Sequence, residues 1–441
     1  MSRSPPPTPP PRAVLDHEFR FKTITSPCEW IEDYRPRGYH PVHLGDVYNN
    51  GQYKVIRKLG EGSYSTVWLA LDIRRHRYVA LKILVAEVFP GLANEVRISE
   101  SLAGAAPAES QRFITQLLDE FEHHGPNGTH KCLVFEPMGP TVNSMVEELP
   151  QFNPRKRTMK VRYPPDMAKS ILKQSLEALV FLHSDGIAHG DFQPGNMLFA
   201  SHDLDSVPED ILRQKEDVEA HSISPPVERR DGKEDRWAPK YLCIAQPLAP
   251  FTRYEEGFKI KLSDMGGAYF IAKPPAKPVT PRGLRTPELL LRGEVNKSSD
   301  IWSFGCLVFE LMTGRPLFCV PGYPHSEWED DDHILALTSQ LGPLPDELFK
   351  FWDRSSQYFT SERKLFNCYL GGPRNGKDPL MLPQKSMEKL FDAAQPELDE
   401  EEGREIKKLI RWTLQYDPAK RPTPSEILDD PWFRAIKIGG E

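Results

Sequence analysis

Eight consecutive residues, His189-Gly190-Asp191-Phe192-Gln193-Pro194-Gly195-Asn196, hold the densest chemistry in the chain. A carboxylate such as Asp191 can take a proton from a hydroxyl, and an amide five positions on, Asn196, can ligate Mg²⁺. Together they suit activation of a hydroxyl nucleophile beside a metal-bound oxyanion. Lys82 lies inside the apolar run Tyr78-Val79-Ala80-Leu81-Lys82-Ile83-Leu84. Alternate positions of such a strand face the interior, so Lys82 is not an ordinary solvated lysine. Glu95 follows in a stretch with Leu92, Val96 and Leu102 at helical spacing. It is either a solvated helical glutamate or the partner of Lys82. Asp264 opens Asp264-Met265-Gly266, which taken alone is an unremarkable turn.

The surrounding patterns supply the elements that must position these groups. Tyr53 to Leu71 alternates apolar and polar residues about Leu59-Gly60-Glu61-Gly62-Ser63-Tyr64-Ser65-Thr66-Val67, which predicts a hairpin. A glycine-rich turn between two strands disfavours a dinucleotide-binding turn, which joins a strand to a helix. It fits a flap whose backbone N–H groups cover phosphates. Lys131 to Phe135 reads as a strand running into Glu136-Pro137-Met138-Gly139, and Phe258 to Leu262 reads as another just before Asp264. Pro165 to His183 is amphipathic, with Ile171, Leu172, Leu176, Leu179 and Leu182 on one side, and delivers the chain into the loop at His189.

The 441 residues are long for one average domain and imply a large core in two lobes or two domains. Hydrophobic residues at 39% and charged residues at 27% fit a soluble globular protein. A formal charge of -7 argues against direct nucleic-acid binding and favours basic partners. No apolar run reaches the roughly 18–20 residues needed to span a bilayer. Ile301 to Met312, the most apolar stretch, contains Ser303 and Glu310 and reads as a buried helix. Cys28, Cys132, Cys243, Cys306, Cys319 and Cys368 show no C-x-x-C spacing, which argues against zinc or a disulfide framework and for a reducing compartment. No secretory signal is visible at the N-terminus. Residues 1–27, with Pro5-Pro6-Pro7 and Pro9-Pro10-Pro11, are expected to form a disordered leader. Residues 28–52, with Trp30, Tyr34, Tyr39 and Tyr48, read as an extension packing on the domain that follows. Asp203 to about Arg236 is charged and poor in apolar residues, and a solvated, partly disordered insertion is expected there. Residues 435–441 read as a tail.

From 53 to 434 the ordered motifs resemble those of a eukaryotic protein kinase. His189 to Asn196 is similar to its catalytic loop and Asp264-Met265-Gly266 to its D-F-G. Thr286-Pro287-Glu288 stands where A-P-E would, with Arg285 matching the arginine of the CMGC group. Asp300 resembles the buried aspartate that braces the catalytic loop, and Arg421 the partner of Glu288. Closer likeness is to the SR-protein kinases. It is carried by Gly38-Tyr39-His40-Pro41-Val42, Gly45-Asp46, Ser65-Thr66-Val67-Trp68-Leu69-Ala70, Gln116-Leu117-Leu118-Asp119-Glu120-Phe121, Gly128-Thr129-His130 and Asp331-Asp332-His333-Ile334.

The resemblance implies an α+β, bilobal protein-kinase fold with a small β-rich N-lobe and a larger helical C-lobe. It implies ATP and Mg²⁺, with Lys82 and Glu95 paired, Asp191 as base, Gln193 beside it, and Asn196 and Asp264 on the metal. The nucleotide set becomes the turn Leu59 to Val67 with Ala80, Lys82, Phe135, Glu136, Met138, Leu198 and Asp264. Substrates would be basic Arg/Ser-rich proteins such as splicing factors, met by a monomer in cytoplasm and nucleus, with no membrane or direct nucleic-acid contact. Arg155-Lys156-Arg157 is too short to mark nuclear import and reads as a basic turn. The family needs no activation-loop phosphorylation.

Glu327, Glu329, Asp330, Asp331 and Asp332 form an acidic run that could dock Arg-rich peptide; a solvated face is the plainer alternative. Glu400-Glu401-Glu402 is a weaker second candidate. Three positions depart from the pattern. Gly190 replaces an Arg that reads a phosphorylated loop, Met265 replaces Phe or Leu, and Gln193 replaces a Lys beside the transferred phosphate. An active but slowed enzyme is expected. A pseudokinase scaffold is the rival reading, and a small-molecule phosphotransferase would account for His189-Gly190-Asp191 but not for Glu288, Asp300 and Arg421.

Overall fold

The computed structural model describes residues 19–86, 92–105, 108, 112–152, 160–322, 326–366 and 384–438. The proline runs at 5–11, Arg155-Lys156-Arg157 and Cys368 lie outside them. The chain divides into two compact units, one drawn from residues up to Thr141 together with Leu198–Lys259, the other from Val142–Met197 and Ile260 onward. The first is β-rich and the second helical.

The first unit is built on an antiparallel sheet of six strands: β1 Val47–Tyr48, β2 Tyr53–Gly62, β3 Ser65–Asp72, β4 Arg77–Leu84, β5 Leu117–Gly125 and β6 Gly128–Phe135. Their order is β1-β2-β3-β4-β6-β5. The β2–β3 hairpin closes with Gly62 opposite Ser65, and Lys82 stands between Val67 and Leu133 at the centre of the sheet. Period-two alternation turns Val55, Trp68, Ala70, Val79, Leu81, Ile83 and Val134 into one buried cluster. β7, Met138–Thr141, pairs with the strand Met197–Ala200 through Thr141 opposite Leu198.

Two expectations are corrected in this unit. Most residues of the segment 203–236 are solvated as expected, but the segment is held to the sheet by a few buried residues and is not the partly disordered stretch anticipated. Leu204, Leu212 and Leu248 are buried against Ile56, Leu69 and Tyr78. Ile223 and Cys243 join the Trp68 cluster. The segment folds back on itself through Ser224 N to Leu242 O at 2.8 Å and Ile244 N to Ser222 O at 3.0 Å. Some of its charges pair within the segment, Arg229 with Asp231 at 2.7 Å and with Asp235 at 2.9 Å, and others reach outside it, as Glu209 does to Lys54 at 3.1 Å. Low apolar density conceals the few apolar residues, Leu204, Leu212 and Ile223, that are buried in the sheet's two clusters. The leader also ends earlier than expected: Arg20 and Phe21 are buried, and Arg20 donates to Glu32 at 3.1 Å and to the Tyr34 carbonyl at 2.7 Å. In the extension, Ile31, Tyr34 and Tyr39 pack with Phe21, Val85 and Leu242.

The second unit is organised by the helix Ser298–Thr313, almost every residue of which is buried. Gly305 allows its close contact with the helix Glu400–Thr413, because a Cβ there would stand 2.3 Å from Thr413 Oγ1. The helix Pro165–Ser184 begins with proline, whose missing N–H is unneeded in a first turn, and buries Ile171, Leu172, Leu176, Leu179 and Leu182. A two-residue antiparallel pair, Ile187–Ala188 with Tyr269–Phe270, ties the start of the catalytic segment to the chain after Asp264. Among the described residues no helix is long and apolar enough to cross a membrane. Cys28, Cys132, Cys243, Cys306 and Cys319 are free thiols.

Leu212 provides the test of the packed insertion. Leu212→Ala should lower stability by about 2–5 kcal/mol, as for other buried leucine truncations. A denaturant melt checks this; a solvated segment would give a change within about 0.5 kcal/mol.

Candidate active site

In the first unit Lys82 points off the central strand and its Nζ lies 2.7 Å from Glu95 Oε1. Glu95 is buried on the helix Leu92–Ala105, which settles the choice between a solvated glutamate and a partner for Lys82. The glycine-rich turn carries exposed Glu61, Gly62, Ser63 and Tyr64, while Ser65 and Thr66 are buried. Phe135 and Glu136 are half-buried, and the Glu136 carboxylate accepts from Gln116 N at 2.9 Å. Ala80, Met138 and Leu198 lie on β4, on β7 and on the strand that pairs with β7.

In the second unit the loop His189–Asn196 is fixed from behind by one carboxylate. Asp300 accepts from the backbone N–H groups of His189 and Gly190, each at 2.9 Å, and from His183 Nε2 at 2.9 Å. Burial alone would raise the pKa of Asp300, but His183, His189 and the Gly190 N–H outweigh it and hold the group below the usual carboxylate value. His189 is itself fully buried, with Nδ1 taking the Asp191 N–H at 3.3 Å and Nε2 3.2 Å from the Ser263 carbonyl. That pairing selects the tautomer with the proton on Nε2.

Asp191 is gripped through both oxygens. Gln193 Nε2 donates to Oδ1 at 2.7 Å, and Asn196 Nδ2 to Oδ2 and to the Asp191 carbonyl, both at 2.8 Å. Burial pushes the Asp191 carboxyl up. His189 and the two amide hydrogen bonds pull against that, and the Asp264 carboxylate adds to the rise. Pro194 begins the tight turn Pro194–Asn196, whose last carbonyl accepts from Ser263 N at 2.8 Å, just before Asp264. Asp264 adopts a left-handed conformation, φ 58°, uncommon for a residue with a side chain. Met265 beside it is buried, in keeping with an apolar swap.

The Asn196 and Asp264 side chains offer hard oxygen donors, which fits Mg²⁺. That ion is commonly held by one or two protein oxygens, with substrate phosphates and water completing its shell. Among the described residues no group of three or more His, Cys, Asp or Glu is arranged to hold a metal alone.

Arg421 and Glu288 form a buried two-bond fork, Nη1 to Oε1 and Nη2 to Oε2, both at 2.7 Å. Arg421 also stacks over Trp302 at 4.9 Å. Thr286 caps the helix Pro287–Arg292 by accepting from Leu289 N at 3.2 Å.

These features are those of one family, and the comparisons agree. A family model described as "Protein kinase domain" matches residues 53–207 and 252–433. The serine/threonine-protein kinase SRPK of Physarum polycephalum is 31% identical over 422 residues, covering 92% of each chain. Protein kinase dsk1 of Schizosaccharomyces pombe is 28% identical, over 96% of this chain and 88% of its own. SRSF protein kinase 3 of Homo sapiens is 24% identical, over 91% and 89%. The chain is a serine/threonine protein kinase of the SR-protein kinase family. The interruption of the family match, 208–251, falls on the packed insertion and extends the expected 203–236 toward the C-terminus.

The acidic run of this kinase is only partly a surface. On the helix Ser326–Leu341, Asp331 is buried and accepts from Trp352 Nε1 at 2.7 Å and Tyr358 OH at 2.8 Å, beside Arg354 at 2.7 Å. Glu329 is buried against Arg282. Their place in the docking set is corrected: helical periodicity puts Asp331 on the face of Ile334 and Thr338, so the run cannot all point outward. Glu327, Asp330 and Asp332 reach solvent. In the weaker cluster, Glu402 is taken by Lys169 at 3.1 Å and Trp432 Nε1 at 3.2 Å.

Sequence reasoning missed Thr280, whose hydroxyl donates to the Gly190 carbonyl at 2.8 Å. It also missed the reason for Gly190. This glycine has φ 71°, and a Cβ on it would stand 2.4 Å from the Gly267 carbonyl oxygen. The arginine usual in kinases does not fit this backbone. Gly190→Ala should therefore cost about 1–3 kcal/mol of strain and depress turnover. Urea melts and initial rates on the same preparation measure both; wild-type values for the alanine variant would contradict the geometry.

Proposed function

We propose that this kinase transfers the γ-phosphoryl group of ATP to serines in Arg/Ser-rich proteins, in cytoplasm and nucleus. Asp191 takes the proton of the attacking serine hydroxyl as the new O–P bond forms and ADP departs. Each Asp191 oxygen keeps a second lone pair for that proton after accepting its amide hydrogen bond. The Lys82–Glu95 pair holds the phosphates on the first unit, under the N–H groups of the Gly60–Tyr64 turn, with Ala80, Phe135, Glu136, Met138 and Leu198 about the adenine. Mg²⁺ on Asn196 and Asp264 would neutralise charge on the phosphates.

The observation that carries this reading is the two-sided amide grip on Asp191, which aims a half-buried carboxylate without a fixed cation. Gln193 keeps the hydrogen bond but not the charge that a lysine would bring. Charge-assisted bonds are stronger by about 1–2 kcal/mol, or about five- to thirty-fold in rate. Gln193→Lys should therefore raise kcat by about that factor on an Arg/Ser-repeat peptide. Asp191→Asn should lower it by about 10²–10⁴. Radiolabelled phosphate transfer reads both, and equal rates for wild type and Asp191→Asn would remove the base from Asp191.

The names of the Homo sapiens relative and its kin support a serine/arginine-rich substrate. So does the exposed portion of the acidic run. Glu327, paired with Arg354 at 2.9 Å, Asp330, 3.6 Å from Arg285, and Asp332 are the docking residues that remain open to solvent. Asp330→Asn with Asp332→Asn should raise KM for the peptide several-fold and leave kcat unchanged. Asp331→Asn should instead lower the melting temperature, because its carboxylate bridges Trp352, Tyr358 and Arg354. An unchanged KM in the double variant would send the basic peptide elsewhere.

A further inference from the structure

Lys58 has no solvent exposure, although it lies on β2 one residue before the glycine-rich turn. A buried ammonium must find oxygen for each of its three protons. Lys58 finds three. Its Nζ meets Glu29 Oε2, Glu61 Oε2 at 3.1 Å and the Cys243 carbonyl at 3.0 Å. Each acceptor comes from a different segment: the N-terminal extension, the turn itself and the insertion. Burial opposes the charge on Lys58, but the two carboxylates outweigh it and hold its pKa above the ordinary lysine value.

A second contact reaches the turn at the residue after Glu61. The Tyr39 hydroxyl donates to the Gly62 carbonyl at 2.6 Å, and the Tyr39 ring packs against Tyr34, which in turn bonds Glu29. The insertion completes the frame. β1 pairs with β2 at Tyr53 and Lys54, and Gly45 and Asp46 take the Val55 backbone, so the edge from Ile56 onward is left for another partner. Gln214 N donates to the Ile56 carbonyl at 2.9 Å, Lys58 N to Gln214 Oε1 at 2.8 Å, and Gln246 N to the Lys58 carbonyl at 2.9 Å. Arg57 Nε reaches the Leu212 carbonyl at 2.7 Å.

Glycines leave a phosphate-covering turn free to move, and ordering it on binding costs affinity. The Lys58–Glu61 pair also draws a turn carboxylate back from the place where it would repel phosphate. We infer that Tyr39 and Glu29 of the extension, acting through Gly62, Lys58 and Glu61, are positioning residues that preorganise the glycine-rich turn for the nucleotide phosphates. The inference rests on the reading that this turn covers ATP. Glu29 and Tyr39 precede the matched kinase domain and Cys243 lies in its interruption. ATP affinity therefore depends on chain outside the shared domain.

The test uses the full chain and three variants: Tyr39→Phe, which removes only a hydroxyl, Glu29→Gln, and Lys82→Met as a reference. Steady-state rates give KM for ATP, KM for peptide and kcat; equilibrium titration gives affinity for ATP and for adenosine; thermal melting reports the fold. Loss of one hydrogen bond predicts about a three- to tenfold rise in KM for ATP with Tyr39→Phe. Adenosine affinity, peptide KM and kcat stay at wild-type values, because only the phosphate cover is disturbed. Glu29→Gln should move the same parameter in the same direction. Unchanged KM for ATP in both variants, with Lys82→Met impaired, overturns the clamp and leaves the active-site reading standing. A rise in every parameter together with early melting also overturns it, since that is general destabilisation. If Lys82→Met binds and turns over ATP as wild type does, both readings fall.

Discussion

Burying a carboxylate costs several kcal/mol unless donors surround it, and Asp300 lies almost wholly out of solvent. It recovers that cost through His189 N, Gly190 N and His183 Nε2. The arrangement joins three pieces of chain far apart in sequence: the end of the helix Pro165–Ser184, the catalytic loop and the first turn of the helix Ser298–Thr313. An apolar residue at 300 could fill the space more cheaply but could not orient two successive N–H groups. The Asp191 carboxylate depends on that orientation, because its backbone starts where Asp300 fixes it. The Arg421–Glu288 fork braces the helices further from the loop in the same way, and it too is a fully buried charge pair with planar, two-bond geometry.

Legibility in the sequence follows how local the physics is. The β2–β3 hairpin, the lysine on β4, the helix from Pro165 and the buried helix about Ile301 are readable because each is set by a short-period pattern. The pairing of Lys82 with Glu95 is readable as an alternative, since a strand lysine with apolar neighbours needs a partner. The insertion escapes such reading because composition averages over a segment. Leu204, Leu212, Ile223 and Leu248 are few, but all are turned to the sheet. Asp331 escapes it for the opposite reason: a run of like charges looks solvated until helical periodicity is imposed on it.

Lys58 shows where such reading stops. The reasoning that singles out Lys82, an interior lysine on a strand, applies equally to Lys58. Its acceptors, however, lie at Glu29 and at Cys243, and nothing in the spacing announces them. Gly190 is a second case. As a residue type it signals only a missing arginine. In the structure it is a positive-φ position pressed against Gly267, whose own Cβ would stand 3.0 Å from Asp191 Cβ. The two glycines let the segment after Asp264 lie directly on the catalytic loop, with Thr280 closing the contact. Close backbone packing thus joins the two segments without any charged residue between them.

Gly190 and Gln193 are one adaptation seen twice. Between His189 and Asn196 the loop has neither lysine nor arginine. A fixed cation at 193 would stabilise charge on the transferring phosphoryl group, yet it would also favour the ionised carboxylate and weaken Asp191 as a base. With a neutral amide there, burial is left to raise the Asp191 carboxyl, and the oxygen we propose as the acceptor of the serine proton is the more basic for it. Some of what is lost in electrostatic stabilisation of the phosphoryl group is returned as proton affinity at the nucleophile. The exchange is unequal, because a charge aimed at the reacting group acts directly and basicity acts only in proportion to proton transfer. A loop assembled this way still has Asp191 aimed by Gln193 and Asn196, each through one amide hydrogen bond to a carboxylate oxygen.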